Sequence, residues 1–260
     1  MVKLLRLLIL LSHLLYGGAL IIFQAFILRR PPEDPRFKAV VQAWYSKLLR
    51  LVGVSVLVHG KPVDGPVLIV SNHISWLDIP LMASLSNPRF LSKAEVRKWP
   101  IIGWAAEKLN TLFIVRGQRT ATEAASVAIC DGLENNDRIL IFPEGKTTEG
   151  AEIGFLFPRL FGAAIQSRAK VQPVVIHYTD ENTAGHTSDL IPYTGTQTLV
   201  NNMWLMLGCK NPQAHVYFLE PLESEGALRK ELAANIQQQM QDCLTQSHTQ
   251  FLAAKPLIHK

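Results

Sequence analysis

The feature that most constrains this chain is a change of texture after Gly53. Short β-branched runs, Val54–Val58, Val67–Val70, Phe90–Ser92, Thr111–Val115, Arg138–Phe142, Val171–Ile176 and Ala214–Leu219, alternate with longer segments of helical spacing. The helical segments are Ile79–Ser86, Trp99–Leu109, Thr120–Glu134, Pro158–Ser167, Gln197–Leu207 and Glu225 to about Phe251. Strands separated by helices of that length need crossover connections. The alternation therefore predicts an α/β fold, a single mostly parallel-to-mixed sheet flanked by helices. No internal repeat or low-complexity tract interrupts it, and Lys61–Pro66 and Asp180–Pro192 are the loop-rich connections.

What precedes Gly53 is different. From Leu7 to Leu28 there is no formal charge, and only Ser12, His13, Tyr16 and Gln24 are polar. Twenty-two helical residues reach about 33 Å, enough to cross a hydrocarbon core. The run ends in Arg29-Arg30 without a small-residue cleavage site, unlike a removable leader. Two membrane arrangements fit: one span, or a two-helix hairpin broken at Gly17-Gly18. Lys3 and Arg6 nearly balance Arg29 and Arg30, so charge does not choose an orientation. Prolines 31, 32 and 35 stop the segment. Arg36–Leu51 then has helical spacing, with Phe37, Val41, Trp44 and Leu48 opposite Lys38, Gln42, Lys47 and Arg50. We divide the chain into residues 1–35, an N-terminal membrane-embedded helical segment, and residues 36–260, the α/β domain.

Composition supports a membrane setting. Among 260 residues 48% are hydrophobic and only 18% charged, with a net charge of +5 concentrated in the first half. A basic, apolar protein suits an anionic membrane surface; no nucleic-acid-binding module accompanies the charge. Cys130, Cys209 and Cys243 have no CxxC spacing and predict free thiols in a reducing compartment. The histidines outside the central block show no metal-ligand spacing, and no metal is expected.

The candidate chemistry begins at Val67–Leu81, VLIVSNHISWLDIPL, where an apolar run stops in a polar turn. Within one helix, residues five apart point about 140° away from each other, and His73 and Asp78 would not meet. Pro80 belongs in a first helical turn, which starts the helix near Asp78 and leaves His73 in the turn, free to fold back. A carboxylate on one imidazole nitrogen fixes the tautomer and leaves the other nitrogen as a base. Spacing alone favours the plainer arrangement, a capping aspartate and an unrelated turn histidine.

Three further segments bear on that choice. Leu112–Val115 ends an apolar strand in Arg116, a residue suited to a phosphate or carboxylate. Ile139–Gly145 runs a buried strand into Phe142-Pro143-Glu144-Gly145, followed by Lys146, Thr147 and Thr148. Val171–Val174, VQPV, places a proline near a strand start. In this order the four blocks resemble the glycerolipid acyltransferase family, with its H-x4-D motif, a block ending in arginine, F-P-E-G, and a V-x-P-V-type strand start. The resemblance covers about Arg36 to Leu219.

The resemblance implies O-acylation of a lysolipid, foremost 1-acylglycerol-3-phosphate, from acyl-CoA or acyl carrier protein, with no other cofactor. It implies His73 as general base oriented by Asp78, Arg116 on the acceptor's anionic head, and an acceptor pocket shaped by Phe142, Pro143, Glu144, Gly145, Lys146 and Thr147. It also implies work at a membrane, on the cytoplasmic face of the inner membrane. Familiar members follow F-P-E-G with T-R-S, whereas Lys146-Thr147-Thr148 lacks that arginine. A lysine is a point charge and not a planar fork. The departure keeps lyso-ornithine lipid and other lysophospholipids open as acceptors. A lipid or thioester hydrolase using the same pair is the alternative chemistry.

Overall fold

The computed structural model describes residues 2–115, 119–183, 186–195 and 197–253. Helix α1 (Val2–Ile22) continues into a π turn (Phe23–Ile27), and α2 (Pro35–Leu51) follows. The strands are β1 (Ser55–His59), β2 (Val67–Ser71), β3 (Arg89–Lys93), β4 (Leu112–Ile114), β5 (Arg138–Ile141), β6 (Lys170–Thr179) and β7 (Gln213–Phe218). Between and after them lie α3 (Asp78–Leu85), α4 (Ile102–Lys108), α5 (Arg119–Glu134), α6 (Phe161–Ser167), α7 (Leu199–Met206) and α8 (Arg229–Ala253).

All seven strands join one sheet in the order β1-β7-β6-β2-β5-β3-β4, parallel throughout except between β6 and β7. The expected α/β sheet is therefore mixed, with one reversal. Strand alternation sends β2 side chains to both faces. Val67 and Ile69 pack with Leu48 of α2, Leu81 of α3 and Met206 of α7. Leu68 and Val70 pack with Ile129 of α5, Phe161 of α6 and Ile236 of α8. Leu232, Ile236, Met240 and Leu244 recur every four residues along α8 and are all buried, each contributing on the order of 2 kcal/mol. That stripe is packing, as its spacing suggests.

Helix α1 runs unbroken through Gly17-Gly18, so the hairpin broken there does not form. Gly17 has a packing role instead. A Cβ at that position would lie 2.5 Å from the Trp44 ring, so glycine lets α2 approach. The His13 and Trp44 rings stack at 4.9 Å, and the indole N–H donates to the His13 carbonyl at 3.1 Å. Arg6 donates to the Leu207 carbonyl at 3.0 Å. One face of α1 is thus covered by the domain, while Leu4, Leu8, Leu11, Leu15, Ile22 and Phe26 lie exposed along the other. The segment from Lys3 to Ile27 is long and apolar enough to cross a membrane.

The three cysteines are free thiols, as expected. On the α8 face, His177 of β6 pairs with Ser247 of α8 at 2.9 Å and packs edge-on to His248 at 4.5 Å. Burial, then the neighbouring His248, His215 and His186, lowers the His177 pKa to about 3. Burial, then His59, lowers that of His215 to about 4. Both rings are neutral in the folded state. As pH falls below the unfolded value of about 6.5, the unfolded chain gains protons that the folded one refuses. Stability is thus expected to be flat above pH 6.5 and to fall below it, by on the order of 2 kcal/mol per histidine at pH 5. Urea unfolding between pH 8 and pH 5 checks this; a midpoint that stays constant across that range would contradict it.

Candidate active site

The site forms where β2, β5 and β6 end. These strands are parallel neighbours, so their carboxyl ends bring His73, the Phe142–Thr148 segment and Tyr178 to one edge of the sheet. The polypeptide leaves β2 through Asn72, whose side chain imitates a strand partner. Its amide donates to the Ile176 carbonyl at 2.9 Å, and its oxygen accepts from the Ile176 N–H at 2.8 Å. This turns the backbone out of the sheet with its polar groups satisfied.

Helix α3 begins at Asp78, as Pro80 suggests, and His73 sits in the turn before it. Asp78 does not cap its own helix. Fully buried, its carboxylate reaches back into the turn instead. One oxygen, Oδ2, lies 2.7 Å from His73 Nδ1 and accepts from the backbone N–H groups of Ile74 at 2.7 Å and Ser75 at 3.0 Å. The other, Oδ1, accepts from the Tyr178 hydroxyl at 2.8 Å. Four donors converge on one carboxylate, which can therefore be buried as an anion. A proton on Nδ1 completes this set of donors and leaves the lone pair of Nε2 available on a ring 21% exposed. Burial, and then Asp78, raise the Tyr178 pKa well above its ordinary value, so the phenol stays a donor.

The Phe142–Gly145 segment supports this turn. The Phe142 ring stacks on His73 at 4.0 Å. Glu144 is buried, and its oxygens accept from the backbone N–H groups of His73 at 3.2 Å and Gly154 at 2.9 Å. Burial raises its pKa, opposed by those two hydrogen bonds. Gly145 adopts φ +72°, a conformation that favours glycine, and its N–H donates to the Phe142 carbonyl at 3.1 Å. Pro143 accepts from the Phe157 N–H at 3.0 Å. Thr148 donates its N–H to the His73 carbonyl at 2.8 Å, and the Thr147 hydroxyl donates to the Tyr193 carbonyl. Lys146 alone of this segment points into solvent. An imidazole nitrogen on a rigid mount, beside an apolar ring and an exposed cation, can accept a proton from a hydroxyl.

The Acyltransferase family profile matches residues 55–177, which hold all of these groups except the Tyr178 phenol and Tyr193. The lyso-ornithine lipid O-acyltransferase of Pseudomonas aeruginosa is 37% identical over 81% of this chain and 81% of its own. The chain belongs to the glycerolipid acyltransferase family. The 1-acyl-sn-glycerol-3-phosphate acyltransferase of Neisseria meningitidis is 34% identical over 58% of this chain and 59% of its own. The 1-acyl-sn-glycerophosphate acyltransferase PlsC of Thermotoga maritima, 22% identical, shares the fold over 98% of this chain and 99% of its own, with a TM-score of 0.70.

In this acyltransferase the structure brings His73, Asp78, Phe142, Pro143, Glu144, Gly145 and Thr147 into one hydrogen-bonded and stacked assembly. Arg116 lies outside the described residues. Glu144 spends both oxygens on backbone donors, so its contact here is with the turn that carries His73. Sequence reasoning missed Tyr178, which lies one hundred positions from Asp78. The available signal was its parity: it shares a strand face with Val174 and Ile176, aimed at the side of the sheet where α3 packs. It also missed Gly154, whose backbone N–H leaves no trace in the sequence. Among the described residues, no three acidic, histidine or cysteine side chains are grouped to hold a metal.

Proposed function

We propose that this acyltransferase moves a fatty acyl group from a thioester, acyl-CoA or acyl carrier protein, to the free hydroxyl of a lysolipid. The observation that carries the reading is the buried Asp78 on Nδ1 of His73. Nε2 removes the acceptor's hydroxyl proton as the oxygen attacks the thioester carbonyl carbon. The tetrahedral intermediate then expels the thiolate, which takes the proton back from the imidazolium. An ester, a thiol and neutral His73 result, with no acyl-enzyme. Arg116 follows β4, whose carboxyl end shares the His73 edge of the sheet, and with exposed Lys146 it would hold the anionic or zwitterionic head.

Lyso-ornithine lipid is the acceptor we favour, because the relative so named matches across 81% of the chain and Lys146-Thr147-Thr148 departs from T-R-S. The alternative, 1-acylglycerol-3-phosphate, draws on the second relative's name. We place the protein at a membrane in a monotopic manner. Helix α1 keeps one face on α2, leaving one apolar face for lipid. The leaflet we propose is the cytoplasmic one of the inner membrane, whose anionic lipids suit the basic first half of the chain.

The test offers purified protein labelled acyl-CoA and acyl carrier protein with a panel of lysolipids, and identifies the products by mass. Thioester consumption that depends on lyso-ornithine lipid is the expected result. Exclusive use of 1-acylglycerol-3-phosphate would reverse the acceptor assignment. Release of free fatty acid without any lysolipid would replace transfer by hydrolysis.

A further inference from the structure

At the far end of α1 from its N-terminus, a cleft of about 390 Å³ opens between the α1–α2 connection and α4, lined by Ala25, Arg29, Arg30, Phe37, Glu107 and Lys108 among others. Its backbone is unusual. The π turn closes with the Leu28 N–H on the Phe23 carbonyl at 2.9 Å and the Arg30 N–H on the Gln24 carbonyl at 3.0 Å. Arg29 is held at φ +50°, a strained conformation for a residue with a Cβ, and Pro31-Pro32 stiffen the exit. Strain of this kind persists where the surroundings enforce it, and it turns two successive arginines into one cleft.

The charges there are not neutralised. Glu107 binds Arg97, Glu33 accepts from Asn110 at 2.7 Å, and Asp34 accepts from the Arg36 N–H at 2.7 Å. Among the described residues no carboxylate pairs with Arg29, Arg30 or Lys108. Arg30 also holds Gln24 at 2.9 Å, and the Lys108 ammonium lies 5.0 Å from the centre of the Phe26 ring. The rim is apolar, since Phe23, Phe26, Ile27 and Leu28 are exposed and continue the bare stripe of α1.

Three unpaired cations over a cleft, bordered by exposed aliphatic and aromatic side chains, match a molecule with a phosphate head and apolar chains. We infer that this cleft binds the phosphate-bearing headgroup of a membrane lipid, whose chains lie along the exposed face of α1. It is separate from the acyl-transfer site. Lys108 comes just before β4, at the amino end of the parallel strands, whereas His73 follows the carboxyl end of β2. The lipid bound here is an anchor that sets the angle of the domain on the bilayer. The inference rests on the membrane reading above.

The test measures flotation of the full chain with vesicles of phosphatidylcholine, alone or mixed with phosphatidylglycerol. Removing the cations together (Arg29→Gln, Arg30→Gln, Lys108→Gln) is expected to weaken binding to the mixed vesicles roughly 100-fold, and binding to pure phosphatidylcholine little. Ala25→Trp, which fills the cleft and keeps the charge, should lose the same preference. A control with equal charge removed on the α6–α8 side (Arg168→Gln, Lys170→Gln, Lys230→Gln) should retain most of it. Equal loss in both triple variants would mean diffuse attraction and overturn the site. Displacement by inorganic phosphate, but not by chloride at the same ionic strength, would reassign the cleft to free phosphate. Loss of transfer to an acceptor in detergent micelles would move it into the substrate site, also overturning the inference. Wild-type protein that bound neither vesicle would overturn the membrane reading and the anchor together, whereas the other failures strike the anchor alone.

Discussion

Replacing His73 with alanine is expected to lower acyl transfer by about 10²–10⁴-fold while leaving a folded, membrane-binding protein. The ring is partly exposed, and its contacts are one bond to Asp78 and one stack on Phe142. Asp78 keeps three donors in the variant, from Ile74, Ser75 and Tyr178. The stability cost should therefore be about 2 kcal/mol, small beside the catalytic loss. Initial rates with the preferred lysolipid, beside a urea unfolding curve, measure both. Full activity in a folded variant would remove His73 from the mechanism. Loss of transfer with retained folding and vesicle binding would exclude a merely adhesive role.

Asp78 should separate charge from shape. Asp78→Ala strips the partner from four inward-pointing donors in a fully buried place, and a loss of about 3–5 kcal/mol is expected. Asp78→Asn keeps the volume and one acceptor oxygen, so it should unfold less readily than the alanine variant. Its oxygen would stay on the Ile74 and Ser75 N–H groups with its N–H₂ facing the Tyr178 hydroxyl, so His73 keeps an acceptor on Nδ1 but loses the anion that stabilises its imidazolium, with transfer falling 10²–10⁴-fold again. Denaturation midpoints and rates for the two variants, taken together, are the measurement. An asparagine variant with wild-type turnover would show that the negative charge of Asp78 does not support His73 as a base.

Much of this arrangement was legible beforehand. All seven strands fall where short apolar runs, most of them β-branched, lie between helical ones, because the period of apolar residues follows from which face is buried. Pro80 located the start of α3 and so placed His73 in a turn, since a proline within the first helical turn has no hydrogen bond to lose. Other features were not legible. Gly17-Gly18 reads as a helix breaker when α1 is considered alone, yet the helix continues, because the space left by Gly17 is filled by the Trp44 ring. The partners of Glu144 are a second case, since its carboxylate joins the turn bearing His73 to Gly154, ten residues further on.

The sequence by itself determined the alternation of strands and helices, the apolar α1, and the residue types that gather near His73. These are local properties, set by backbone preference and by burial periodicity. Only the tertiary structure decided which of them meet. Tyr178 reaches Asp78 because β6 lies beside β2 in the sheet, in a register pairing Ser71 with Val174, and no local pattern records the strand order. The bare stripe of α1 is decided in the same way. Composition makes the helix largely apolar, and docking on α2 chooses which face is left bare.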